Sequence, residues 1–218
     1  GLADARLAGL TEQIWALTPW AGYGVVGFSL HCISEFRFAL LLAEKLKAET
    51  GAKVVFGGPF ATPYASLYFE KKPVVDFMMA GEGHRSFPLL LDALAGKGSL
   101  SEVPGLWYRE GGRVRSNPQR PGGMEEMPLP DFDGLPLDGY RQELLENSPF
   151  LPYQISRGCP GTCSFCSFSK VLPGRALESK SPEKVVRELG ECSRRYGSRY
   201  LSMCDECFNN LPEKAGRI

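Results

Sequence analysis

The sequence predicts an α/β fold, and three observations carry that reading. Short apolar runs alternate with stretches of helical periodicity, the runs close on glycine, and 43% hydrophobic side chains over 218 residues suffice to bury a core. Strand–helix alternation at this spacing builds βαβ units around a parallel sheet covered on both faces. Ligands of such sheets sit beyond the carboxyl ends of the strands.

Leu7, Leu10, Ile14 and Leu17 stand three and four apart on one helical face, and Thr18-Pro19 ends that helix. Gly24 to Leu30 reads as a buried strand and Phe36 to Leu46 as an amphipathic helix. Lys53 to Phe56 is a second strand running into Gly57-Gly58-Pro59, and Thr62-Pro63 caps a helix reaching Phe69. Val74 to Met79 is a third strand, closing on Gly81-Glu82-Gly83, and Gly96 stops a helix over Phe87 to Leu94. Ser29, Gly57, Gly58, Gly81, Glu82 and Gly83 thus occupy the strands' carboxyl ends. Glycine there lets backbone approach a flat ligand, although left-handed turns account for glycine equally well.

Leu106 to Arg109 and Arg113 to Arg115 flank Glu110-Gly111-Gly112 as a hairpin. From Asn117 to Pro136 the chain is a Pro- and Gly-rich strap, and Asp138 to Glu146 reads as a short helix. A second α/β unit follows. Leu151 to Ser156 is a strand, a Gly- and Cys-rich loop comes next, and Ser181-Pro182 caps a helix whose Val185, Val186 and Leu189 face inward. Arg199 to Met203 is the next strand, and Asn210 to Glu213 begins another helix. The expected division is residues 1–97, a hairpin and linker over 98–148, and 149–218.

The 25 Lys plus Arg balance 25 Asp plus Glu, which speaks against an electrostatic nucleic-acid binder. No run approaches the roughly 18 apolar residues of a membrane span, and no signal peptide is visible. The chain starts at Gly1 and ends as a helix begins, so it reads as a fragment. Seven cysteines without a secretory signal suit metal or redox chemistry in a reducing, cytoplasmic setting better than a disulfide framework.

Three of the seven fall in Cys159-Pro160-Gly161-Thr162-Cys163-Ser164-Phe165-Cys166, on a loop directly after a strand. Thiolates brought this close repel one another unless a cation neutralises them. Gly158, Pro160 and Gly161 let the backbone curl around such a centre and aim N–H groups at its sulfurs. Three close ligands suit either a zinc ion completed by a fourth residue or an iron–sulfur cube with one iron open. Zinc favours paired Cys-x2-Cys knuckles, whereas x3-then-x2 spacing wraps three corners of a cube.

This Cys-x3-Cys-x2-Cys run, with aromatic Phe165 before the third cysteine, resembles the radical S-adenosylmethionine (SAM) superfamily. The resemblance implies that Cys159, Cys163 and Cys166 hold a 4Fe–4S cluster whose open iron binds the amino and carboxylate groups of SAM. The Phe165 backbone would lie against the adenine. The reduced cluster would then cleave SAM to methionine and a 5′-deoxyadenosyl radical.

With a GG- and GEG-bearing half ahead of it, the chain is similar to the cobalamin-binding radical SAM enzymes from about Tyr23 onward. Ser156-Arg157-Gly158-Cys159, the segment Arg175 to Glu183, and Asp205-Glu206-Cys207-Phe208 carry that likeness. It implies part of a Rossmann-like cobalamin domain followed by the start of a radical SAM (β/α) barrel. Ser29, Gly57, Gly58, Gly81, Glu82 and Gly83 would face cobalamin. Asp205 and Glu206 would meet the amino or ribose groups of SAM, and Arg175 its carboxylate. A helix-start charge pair and a solvated arginine are the plainer readings of those three.

The resemblance departs in places. Only the later three strands of a cobalamin domain are present, so no axial histidine is assigned, and His84 stands where a glutamate is common. The implied reaction is methyl transfer. One SAM methylates reduced cobalamin, and a second yields the radical that activates a small-molecule or peptide substrate. A flavodoxin- or ferredoxin-type protein supplies electrons. Ring formation, thiolation or rearrangement is the alternative chemistry, and a zinc-binding module the non-enzymatic one. Cys204 and Cys207 read as small buried thiols. Cys32 and Cys192 read as core or partly buried, His31 as structural, and Trp15, Trp20, Phe28 and Phe56 as core.

Overall fold

Valine, phenylalanine and methionine alternating along neighbouring strands of one sheet give the first half of the chain two cores. The structure, a computed structural model, describes residues 2–120, 123–141, 146, 148–161, 163–166, 177–208, 213 and 216–217. The chain folds as two compact units, Gly1–Pro121 and Gly122–Ile218.

In the first unit, α1 (Leu2–Leu17) precedes β1 (Val25–Ser29), α2 (Ile33–Glu49), β2 (Lys53–Gly57), α3 (Ala61–Lys71), β3 (Phe77–Met79) and α4 (Gly83–Leu94). The three strands run parallel in the order β1-β2-β3. Successive side chains of a strand face opposite ways. Val54, Phe56 and Met78 therefore join a core closed by Phe36, Ala39 and Ala43 of α2 and Ala65 and Phe69 of α3. Val55, Phe77 and Met79 join another, closed by Leu90 of α4. Trp15 and Trp20 stack on each other at 5.4 Å, only partly buried, while Phe56 is wholly buried.

Two details differ from the sequence expectation. Helix α3 starts at Ala61, so Thr62 lies inside its first turn and does not cap it. Helix α4 starts at Gly83, four residues early, and carries Pro88 within it. The hairpin expected with the linker also belongs to this sheet. β4 (Leu106–Glu110) pairs antiparallel with β3, and β5 (Arg113–Ser116) with β4. The backbone groups on the free edge of β3 need partners, and the hairpin supplies them.

The second unit is a βαβ unit with a small antiparallel pair. It contains β6 (Phe150–Tyr153), β7 (Ser156–Arg157), β8 (Glu178–Ser179), α5 (Pro182–Tyr196) and β9 (Tyr200–Met203). β6 and β9 are parallel, and β7 pairs antiparallel with β8. The strand expected over Leu151 to Ser156 is therefore broken after Tyr153. Of the helix expected over Asp138 to Glu146, the described part includes one turn at Leu137–Tyr140 and Arg141, which bridges Pro149; residues 142–145 lie outside the described residues. The helix expected to begin at Asn210 lies largely outside the described residues.

Ser181 caps α5 as expected, accepting from Lys184 N–H at 3.3 Å, with Pro182 in the first turn. The inward stripe keeps two of its three expected residues, Val185 and the half-buried Leu189. Val185, Glu188, Cys192 and Tyr196 are buried, whereas Val186 is 52% exposed. A charge sits in that stripe because three groups satisfy it. Lys180 Nζ donates to Glu188 at 2.8 Å, Tyr153 OH donates at 2.6 Å, and Lys184 Nζ lies 3.2 Å away. Burial pushes the Glu188 carboxyl up, but these partners outweigh it and hold the group below its ordinary value. Burial and the Glu188 carboxylate push the Tyr153 phenol up. Among the described residues no helix is long and apolar enough to cross a membrane.

Candidate functional site

In the first unit, three loops gather at the carboxyl ends of β1, β2 and β3. Ser29 and Gly57 are register partners, and Leu30 N–H donates to the Gly57 carbonyl at 2.9 Å. Gly58 adopts φ +94°, and a Cβ there would meet the Leu30 backbone N and O at 2.6 Å. Gly81 adopts φ +85°, and a Cβ there would meet Gln119 Oε1 at 2.8 Å. The chain itself fills the space these two glycines leave, so close packing explains them without a ligand. Gly83 is different, with nothing within 4 Å of a Cβ. Glu82 holds the N-cap position of α4, its carboxylate 3.4 Å from His84 Nδ1.

Thr62 is the residue that sequence reasoning misassigned. Its buried Oγ1 donates to the Gly58 carbonyl at 3.0 Å and accepts from Gly81 N–H at 3.0 Å. One hydroxyl therefore ties the loop after β2 to the loop after β3. Gly58→Ala is expected to cost about 1–3 kcal/mol through left-handed strain and the clash with Leu30. Urea unfolding checks it, and an unchanged midpoint would contradict the packing role.

In the second unit, the cysteine loop leaves β7. Cys159 and Cys166 are partly buried and Cys163 is exposed. Gly161 N–H donates to Cys159 Sγ at 3.4 Å, and a Cβ on Gly161 would meet Cys159 Sγ at 3.2 Å and Cys163 Sγ at 3.9 Å. Two sulfurs thus flank a point that glycine keeps open. Cys166 closes a turn, its N–H donating to the Cys163 carbonyl at 3.1 Å. The Phe165 ring is 90% exposed.

Among the described residues, no three Cys, His, Asp or Glu side chains are grouped as ligands of one metal ion. A single zinc would need all its thiolates within about 2.3 Å of one point. A cube is held at separate corners, so its ligands stand further apart. Three thiols on one loop, an amide directed at a sulfur and a glycine between two sulfurs suit a centre held by thiolates.

The segment after β9 is laced to the stem of this loop. Asp205 accepts from Ile155 N–H at 3.3 Å, from Ser156 N–H, and from Ser156 Oγ at 2.6 Å. Glu206 Oε2 accepts from Gly158 N–H at 3.2 Å. Both carboxylates, expected on SAM, are engaged with the loop's own backbone. Arg175 lies outside the described residues. Cys204 is exposed and Cys207 only partly buried, unlike the buried pair expected. The Cys207 thiol lies within hydrogen-bonding reach of Cys159, a contact no sequence spacing signalled; desolvation and that sulfur push the thiol up. Cys192 is buried as expected, whereas Cys32 is exposed.

No protein-family model matches the chain. An uncharacterized methyltransferase of Pyrococcus horikoshii is 37% identical over 164 residues, covering 74% of this chain and 35% of its own length. The anaerobic magnesium-protoporphyrin IX monomethyl ester cyclase of Synechocystis sp. is 26% identical over 178 residues, 78% of this chain and 33% of the cyclase. The cobalamin-dependent radical SAM methyltransferase TokK of Streptomyces tokunonensis is 29% identical over 191 residues, 84% of this chain and 28% of TokK. The chain thus spans about a third of the length of the curated relatives it matches.

Two solved structures share the fold. OxsB, a cobalamin-dependent SAM radical enzyme with aqua-cobalamin and SAM bound, superposes with a TM-score of 0.68 at 21% identity, covering 95% of this chain and 28% of OxsB. TsrM from Kitasatospora setae, a radical SAM methyltransferase with cobalamin and a 4Fe–4S cluster bound, gives 0.59 at 17% identity, covering 82% of this chain and 35% of TsrM.

Proposed function

We infer the function of this chain from the family it belongs to, the cobalamin-binding radical SAM enzymes. Cys159, Cys163 and Cys166 would hold a 4Fe–4S cluster, and Phe165 and Arg175 are the residues assigned to SAM. The loops bearing Ser29, Gly57, Gly58, Gly81, Glu82 and Gly83 receive cobalamin. When bound, the cluster supplies one electron for cleavage of SAM to methionine and a 5′-deoxyadenosyl radical, and cobalamin supplies a carrier for a methyl group. The reaction is methyl transfer to an unactivated centre of a small-molecule or peptide substrate, with a flavodoxin- or ferredoxin-type electron donor.

The observation that carries this reading is the cysteine loop itself, leaving β7 with its stem fixed by two carboxylates. Gly161 N–H donates to the Cys159 sulfur at 3.4 Å. Asp205 and Glu206 serve SAM indirectly, by fixing the backbone that presents the thiols. Thr62 holds two cobalamin-facing loops at one spacing.

The likeness to a cyclase favours a second reading, in which the same radical closes a ring. Anaerobic reconstitution of the full-length protein with iron, sulfide and hydroxocobalamin, then mass analysis of SAM products, separates the two. Methyl transfer predicts both 5′-deoxyadenosine and S-adenosylhomocysteine. Ring formation predicts 5′-deoxyadenosine alone, and neither product would sink both readings.

A further inference from the structure

Residues 205–207 meet residues 155–159 in sequence order. Asp205 takes the N–H groups of Ile155 and Ser156, Glu206 takes that of Gly158, and the Cys207 thiol comes next, against Cys159. The first two contacts anchor the backbone leading into the sulfur pair, so the thiols meet because their neighbours are tied. Both are partly buried. Cys204, directly after β9, turns its thiol towards the Ser202 carbonyl at 3.5 Å. Cys163 is the competing partner for Cys159, across Gly161.

We propose that Cys159 and Cys207 form a disulfide when the loop carries no cluster, so that one of its three thiols is withheld until reduced. A peroxide is the oxidant. The Cys159 thiol and hydrogen peroxide give a sulfenic acid and one water. The Cys207 thiol then attacks that sulfur, and a second water leaves as the S–S bond forms. The thiol pair loses two electrons in all, and the peroxide takes them. A small thiol reverses the bond by exchange. The consequence for cluster assembly rests on the function proposed above, whereas the disulfide does not.

The test treats full-length protein, stripped of metal by a chelator, with hydrogen peroxide, then alkylates and digests it with trypsin. Peptides 158–170 and 200–214 are expected joined, two hydrogens lighter than their sum, and separated again by dithiothreitol. The link is lost in Cys159→Ser and Cys207→Ser and kept in Cys204→Ser, with circular dichroism confirming that each variant folds. A link confined to peptide 158–170, or one that survives Cys207→Ser, would overturn the proposal. Peptide mapping reads no SAM chemistry. A missing link therefore leaves the radical SAM reading intact, and missing SAM products leave the link intact.

Discussion

Glu188→Ala is expected to destabilise the second unit by about 3–5 kcal/mol, the loss seen when one partner of a buried ion pair is removed. Lys180 is 2% exposed and Lys184 8%, so neither ammonium can recover its hydration without the fold opening. Without the carboxylate, Lys184 keeps the Met127 carbonyl at 2.9 Å and Lys180 keeps the Tyr153 ring at 4.4 Å. Neither contact neutralises a charge. Glu188→Gln keeps the volume and an acceptor for Tyr153, so its loss should be smaller but still measurable by urea unfolding.

The same group fixes the sign of a pH effect. Glu188 is held below its ordinary value in the folded state, so its contribution is complete above the unfolded value near 4.3. It is lost as pH falls through the lower folded value. The stability gap between the native chain and Glu188→Gln should therefore be full at neutral pH and shrink in acid. A gap that widened in acid would contradict the assignment.

Cys159→Ala, Cys163→Ala and Cys166→Ala are each expected to abolish SAM cleavage and to strip most of the iron from reconstituted protein. In the proposed ligand set each cysteine supplies one corner of the cube, and residues 158–177 carry no fourth cysteine. Cys192→Ala is the control. It empties a buried position on α5 without touching the loop, so it should cost stability and leave iron content unchanged. A Cys163→Ala protein that still held its full iron would remove that residue from the ligand set.

The parallel core was legible because its signals are local. Apolar runs located β1 to β3, the last two closing on glycine, and Ser181-Pro182 located the start of α5. What escaped were pairings between distant segments. The pattern of Leu106 to Ser116 announces a hairpin but not the edge it joins, since β3 offers its backbone irrespective of side chain. Thr62 looked like a helix cap because capping residues and loop-tying hydroxyls are the same residue type. Val186 looked inward because an apolar residue beside Val185 outranks a glutamate in any reading of periodicity. Only the placement of Lys180, Lys184 and Tyr153 shows why Glu188 is the buried one.

The cysteine spacing was legible, and the support around it was not. Asp205 and Glu206 were noticed as strand-end carboxylates, yet their partners are backbone N–H groups nearly fifty residues earlier, which no sequence pattern encodes. Cys207 falls beside Cys159 for the same reason.

Electron paramagnetic resonance of anaerobically reconstituted, reduced protein, recorded with and without SAM and paired with iron and sulfide counts, tests the central claim most directly. The account predicts about four iron and four sulfide per chain and a signal whose g values move when SAM is added. A colourless protein that takes zinc instead, or a cluster signal indifferent to SAM, would contradict it.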